Sequence, residues 1–142
     1  MKYRHFLGLV AVLSMLLVVL AACGNSSTPS GPQAVQVTLT GSTITSSVMN
    51  FSPGVPYHFT VTNNGSASQE FAMMPEGMDM EHMSMNDIHS NALHLIDTIA
   101  PGMSSTFEYT FASSMMGHNF EFGGNMSGHT TGWMRLHMTI NQ

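Results

Sequence analysis

Positive charge is nearly missing from this 142-residue chain: Lys and Arg together number 3, against 8 Asp and Glu and 8 His. Phosphate neutralisation needs clustered Lys and Arg, so nucleic acid is excluded as a partner. Charged residues of both signs make up only 8%, where a soluble domain usually has about 25%. Cysteine occurs once and tryptophan once. Phosphate-binding Gly loops, a His-Glu-x-x-His pattern and a nucleophile beside a base are all lacking, which argues against an enzyme. The length allows one domain of about 100 residues with an appendage. What the chain has in excess is methionine, 15 residues.

The appendage is N-terminal. Lys2 and Arg4 precede an apolar run from Phe6 to Ala22, the charged and apolar regions of a secretory signal peptide over residues 1–22. The run ends in Leu20-Ala21-Ala22-Cys23-Gly24, which resembles the bacterial lipobox, so Cys23 is expected to be the lipidated first residue of the mature chain. Lipidation would leave no free thiol and, with Arg135 the sole Lys or Arg against 8 acids, a side-chain charge of −7. Residues 23–33 are rich in Gly, Ser and Pro and read as a flexible tether reaching up to about 30 Å. The expected location is extracytoplasmic, anchored by lipid to a bacterial membrane.

Residues 34–142 form the expected domain. Val35, Val37 and Leu39 alternate with polar residues, as do Tyr57, Phe59 and Val61, and Phe107, Tyr109 and Phe111. This is the period of strands with one buried face. Further strands are expected from Gln69 to Met74, from Phe120 and from Leu136 to Ile140. Asn63-Asn64-Gly65 marks a turn. Short strands with Gly, Pro and Asn punctuation and no βα repeats predict an all-β sandwich or barrel. One short helix is expected from Ser84-Met85-Asn86-Asp87, which has capping-box spacing, to about Leu93. His58 and His137 alternate onto polar faces and are expected to be solvated.

Chemistry concentrates between Met73 and His94. This stretch holds Met73, Met74, Met78, Met80, Met83 and Met85 with His82, His89 and His94, interleaved with Glu76, Asp79, Glu81 and Asp87. Thioethers are soft ligands suited to Cu(I), and imidazole suits Cu(I) and Cu(II). Thioethers also remain ligands where free thiols tend to be oxidised. Were the stretch helical throughout, Met78, His82, Met85 and His89 would share one face. The competing reading is packing, because Met fills irregular cores.

The C-terminal run from Phe120-Glu121-Phe122-Gly123-Gly124 through Asn125-Met126-Ser127-Gly128-His129 to Trp133-Met134 resembles the closing motif of the cupredoxins, Phe-x-Cys-x-x-Pro-Gly-His-x-x-x-Gly-Met. Asn63-Asn64-Gly65, Gln69-Glu70-Phe71 and the insert ending at Ile99-Ala100-Pro101-Gly102 are similar to bacterial cupredoxin-like proteins of the plastocyanin and sulfocyanin type. The resemblance covers most of residues 35 to 142. It implies a cupredoxin-like Greek-key β-sandwich with the short helix in a Met-rich insertion. It also implies that His129 stands at the second histidine ligand and Met134 at the weak axial methionine. Gln69 stands where the first histidine is expected and Gly124 where the cysteine is expected.

A blue-copper centre requires a His₂Cys set, so the resemblance implies a degenerate type 1 site. His129 and Met134 are expected to bind Cu(I), helped by Met126 or by the insert; His118, sharing parity with Phe120 and Phe122, is expected to reach the same end. Trp133 is expected to be a packing anchor. The functional expectation is a membrane-tethered copper-binding protein that sequesters Cu(I) or transfers it to or from a donor or acceptor protein. Its ligands would come from His129, Met134, Met126, His118, Met78, Met80, His82, Met83, Met85 and His89. The alternatives are an electron carrier with a non-blue copper site and a metal-free structural or interaction module.

Overall fold

The computed structural model describes residues 31–127, 129 and 132–141. The expected signal peptide, Cys23 and most of the expected tether lie outside the described residues. Nine strands are described: β1 (Gln33–Leu39), β2 (Ile44–Ser46), β3 (Asn50–Phe51), β4 (Pro56–Asn63), β5 (Gln69–Pro75), β6 (His94–Ile99), β7 (Ser104–Thr110), β8 (Asn119–Met126) and β9 (Met134–Ile140). They form a four-stranded sheet, order β2-β1-β4-β7, and a five-stranded sheet, order β3-β9-β8-β5-β6. Among the described residues no helix is long and apolar enough to cross a membrane.

Alternation does what the pattern predicts in β1 and β4. Val35, Val37 and Leu39 are buried, as are Tyr57, Phe59 and Val61, and the parallel register sets Val35 beside Phe59 and Val37 beside Val61. Antiparallel β7 continues the layer with Phe107 opposite Phe59, and their rings stack at 4.6 Å between centroids. From the second sheet, Phe71, Phe120 and Phe122 meet this layer, with Phe51 and Phe111 between them. Each such ring, fully buried, contributes about 1.5–3 kcal/mol over its exposed state. The architecture is the all-β sandwich expected.

Three strands carry no clear sequence signal. β2 and β3 have three and two residues, too few for a period to show, and β6 is a half-covered edge strand ending in Asp97 and Thr98 before Ile99. In β5 the expected single buried face is replaced by burial of every residue from Gln69 to Met74. The reason is the insert, residues 76–93, which covers the outer face of the five-stranded sheet.

That insert contains one α-helix, α1 (Met85–Asn91), started by the expected capping box: the Ser84 hydroxyl accepts from Asp87 N–H, and the Asp87 carboxylate accepts from Ser84 N–H. It ends two residues before Leu93. Ala92 turns extended, and Leu93 N–H donates to Met73 O at 2.7 Å, which starts the pairing of β6 with β5.

Candidate metal centre at the loop end of the sandwich

The β8–β9 connection carries the residues expected to bind metal, and its conformation is set locally. Asn125 is buried; its Nδ2 donates to His129 O at 2.8 Å and its Oδ1 accepts from Met126 N–H. His129 N–H donates to Met126 O at 3.0 Å. These bonds tie His129 back to Asn125 and Met126 and leave Met126, 46% exposed, and His129 at the surface. Glu81 of the insert fastens the far side, its two carboxylate oxygens accepting from Gly132 N–H and Trp133 N–H at 3.0 Å each.

Inward of this loop lie the two positions where the resemblance placed histidine and cysteine. Phe71 pairs with Gly124, and Gly124 with Met134, on the inner face. A Cβ built on Gly124 would stand 2.9 Å from Leu39 Cδ2 and 3.0 Å from Met134 Cε. Hydrocarbon therefore fills the space a cysteine side chain would need. Gln69 faces inward as parity predicted and is buried, but its Nε2 donates to Thr40 O. Its amide nests against Gly65, where a Cβ would come within 2.8 Å of it, and Gln69 Oε1 is buried with no partner. The Asn63-Asn64-Gly65 turn that admits it is held by Asn63, whose Nδ2 donates to Ala67 O and Ile99 O. A His₂Cys blue-copper set does not fit the residues present, since one position is a glycine with the ends of Leu39 and Met134 against it and the other carries an amide committed to a backbone carbonyl.

Methionines of the insert take the packing role that stood as the competing reading to ligation. Met80 is fully buried, and a Cβ on Gly123 would stand 2.8 Å from its sulfur and 3.0 Å from Trp133 Cε3. Gly123 thus leaves a notch on the outer face that Met80 and Trp133 fill. Ala72, Met74 and Ile88 complete this second core, and half-buried Met78, Met83 and Met85 pack against it. Trp133 is the packing anchor expected, with its indole N–H buried and unpartnered.

Several expected ligands are not brought together. Met83 and Ser84 are extended, so the 3₁₀ turn Met80–His82 and α1 are separate, and the single helical face through Met78, His82, Met85 and His89 does not form. His82 Nδ1 lies 2.7 Å from Asp79 Oδ2, and His89 Nε2 3.5 Å from Asp97 Oδ1. Met73 is in the main core, and His94 stacks on Phe107 at 3.7 Å, its pKa lowered by burial. His118 precedes β8 whereas His129 follows it. The strand's eight residues separate them by roughly 25 Å, so His118 does not reach the loop end; shared parity fixes a face but not an end. Among the described residues no three His, Cys, Asp or Glu side chains converge as a metal cluster.

Two carboxylates escaped sequence reasoning. Glu70 is 2% exposed on the outer face, with Oε1 unpartnered, and burial with the nearby Asp97 charge pushes its pKa up to about 7. Glu121, equally buried, is held by Arg135 Nε at 2.7 Å and lies 3.2 Å from His137 Nδ1. Alternation assigned both to the outer face, and nothing in the strand pattern shows that the insert covers it. His137 remains largely exposed, and His58 is half-exposed beside Glu108.

No protein-family model matches the chain, and no curated protein matches it. Among solved structures, dithionite-reduced auracyanin from the photosynthetic bacterium Roseiflexus castenholzii is similar at a TM-score of 0.58 and 16% identity, covering 79% of this chain and 100% of its own. Auracyanin B is similar at 0.58 and 14% identity, covering 79% and 91%. The fold is thus cupredoxin-like.

Proposed function

We propose that the chain is an extracytoplasmic, lipid-anchored copper-binding protein whose cargo is Cu(I), held at the loop end by His129, Met126 and Met134. The observation that carries this reading is the backbone bond from His129 N–H to Met126 O, which keeps a thioether residue and an imidazole residue within one turn, both exposed, in the connection that leads to Met134 at the start of β9. Soft neutral donors in low number suit Cu(I) and do not suit the hard cations. The filled cysteine position favours binding without blue-copper electron transfer. His82 and His89, exposed on the insert, are secondary contacts for cargo entering or leaving, and the Cys23 lipid would hold the domain at the membrane where a copper donor or acceptor protein works.

Competition of the full chain in detergent micelles against a chromophoric Cu(I) chelator tests the reading. We expect Cu(I) to be withdrawn from the chelator, with the loop equivalent weakened at least tenfold in a His129→Asn/Met134→Leu variant. No withdrawal of Cu(I) by the unaltered chain would overturn it.

A further inference from the structure

The tetrapeptide Met-x-Gly-His occurs twice, as Met115-Met116-Gly117-His118 and as Met126-Ser127-Gly128-His129, one at each end of β8. Both copies close by the same bond: His118 N–H donates to Met115 O at 3.0 Å, as His129 N–H does to Met126 O. In the first copy Met116 has φ −57° and ψ 129°, and Gly117 has φ +78°. These are type II turn values, in which the third residue must tolerate positive φ and the first and fourth Cα atoms lie within about 7 Å.

The turn is fixed on both sides. Met115 N–H donates to Ala112 O at 2.9 Å, Gly117 N–H to Ile140 O at 2.9 Å, and Ile140 N–H to His118 O at 3.1 Å. Met115 and His118 line the same open cleft, of about 370 Å³, together with Glu76 and Asn119. The Glu76 carboxylate accepts from Asn119 Nδ2 at 2.9 Å. One thioether and one imidazole line that cleft, Met115 half-buried against the main core and His118 exposed, with the Glu76 carboxylate already partnered. Ser114 lines the cleft as well as Asn119, but a thioether and an imidazole are ligands that Ca²⁺ and Mg²⁺ do not favour and that suit a soft cation of low coordination number.

We propose that Met115 and His118 form a second soft-cation site, for Cu(I) or Ag(I), at the pole of the sandwich opposite the His129 loop. The inference rests on reading the Met126–His129 turn as a Cu(I) donor pair, and it extends that pair to its sequence and backbone equivalent. A chain with a donor pair at each end of β8 would carry two cargo ions at places too far apart to compete.

The test is a titration of the isotope-labelled full chain in detergent micelles with silver nitrate, followed by the ring-nitrogen shifts of histidine and the methyl shifts of methionine. Expected is a shift of His118 and Met115 that persists in His129→Asn/Met134→Leu, and the loss of one silver equivalent in Met115→Leu/His118→Asn. Unchanged methyl signals of Val35 and Val61, buried in the four-stranded sheet, establish that each variant is folded. Shifts at His129 with His118 and Met115 unmoved would overturn this site and leave the loop reading intact. Shifts at His118 and Met115 with His129, Met126 and Met134 silent would uphold this site and remove the loop reading. No shift at any of them would overturn both.

Discussion

Glycine at position 124 makes room for Leu39 and Met134, and that packing governs which metal chemistry the loop end can support. Gly124→Cys forces those two side chains back by several tenths of an ångström. Overpacking of this kind costs about 1–3 kcal/mol, and the melting temperature should fall by several degrees. Copper added to the variant should give no strong thiolate-to-copper band, because Gln69 supplies no imidazole and its Nε2 is spent on Thr40 O. A strong visible band would show that the site can still assemble. Glu70 makes a prediction of a different kind. Its carboxyl has a pKa of about 7 in the folded chain against 4.5 ordinarily, so between those values the native state binds the proton more tightly than the unfolded state. Stability therefore falls as pH rises from about 4.5 to 7 and is level above. His94, lowered by burial, acts in the opposite sense, losing stability as pH falls through the histidine range. The difference between the wild-type chain and Glu70→Gln in denaturant unfolding isolates the carboxyl: it should change by on the order of 2 kcal/mol across that window. A difference independent of pH would contradict the assignment.

Elements were legible in proportion to their length and to how one-sided their burial is. β1 and β4 bury one face and expose the other, so alternation marks them; β2 and β3 are too short to have a period. The insert was legible as a Met-rich segment with a capped helix, but the role of its methionines was not. A thioether at a given spacing can be a ligand or a filler, and spacing is the same for both. The notch over Gly123 decides for Met80. Met80→Ala should therefore destabilise the fold by about 2–5 kcal/mol, the range for a buried Met truncated to Ala, and leave the number of Cu(I) ions bound unchanged. Loss of one Cu(I) equivalent with stability intact would make Met80 a ligand after all.

Over the whole molecule, the sandwich gives β8 two ends, and the distribution of soft donors follows them. Met126, His129 and Met134 collect at one pole, Met115 and His118 at the other, and the covered outer face between them holds the second core. The parity of strand residues, the turn at Asn63-Asn64-Gly65, the helix cap at Ser84 and the want of a cysteine in the domain were all determined by the sequence alone, because each depends on residues near one another in the chain or on a residue type being missing. Which end of a strand a residue occupies relative to another, whether the outer face of β5 is covered, and whether Gly124 leaves a hole or a filled space were decided only by tertiary structure. Those depend on side chains far apart in sequence, Leu39 against Gly124 and Met80 against Gly123, whose meeting is fixed by strand order and packing and leaves no local pattern.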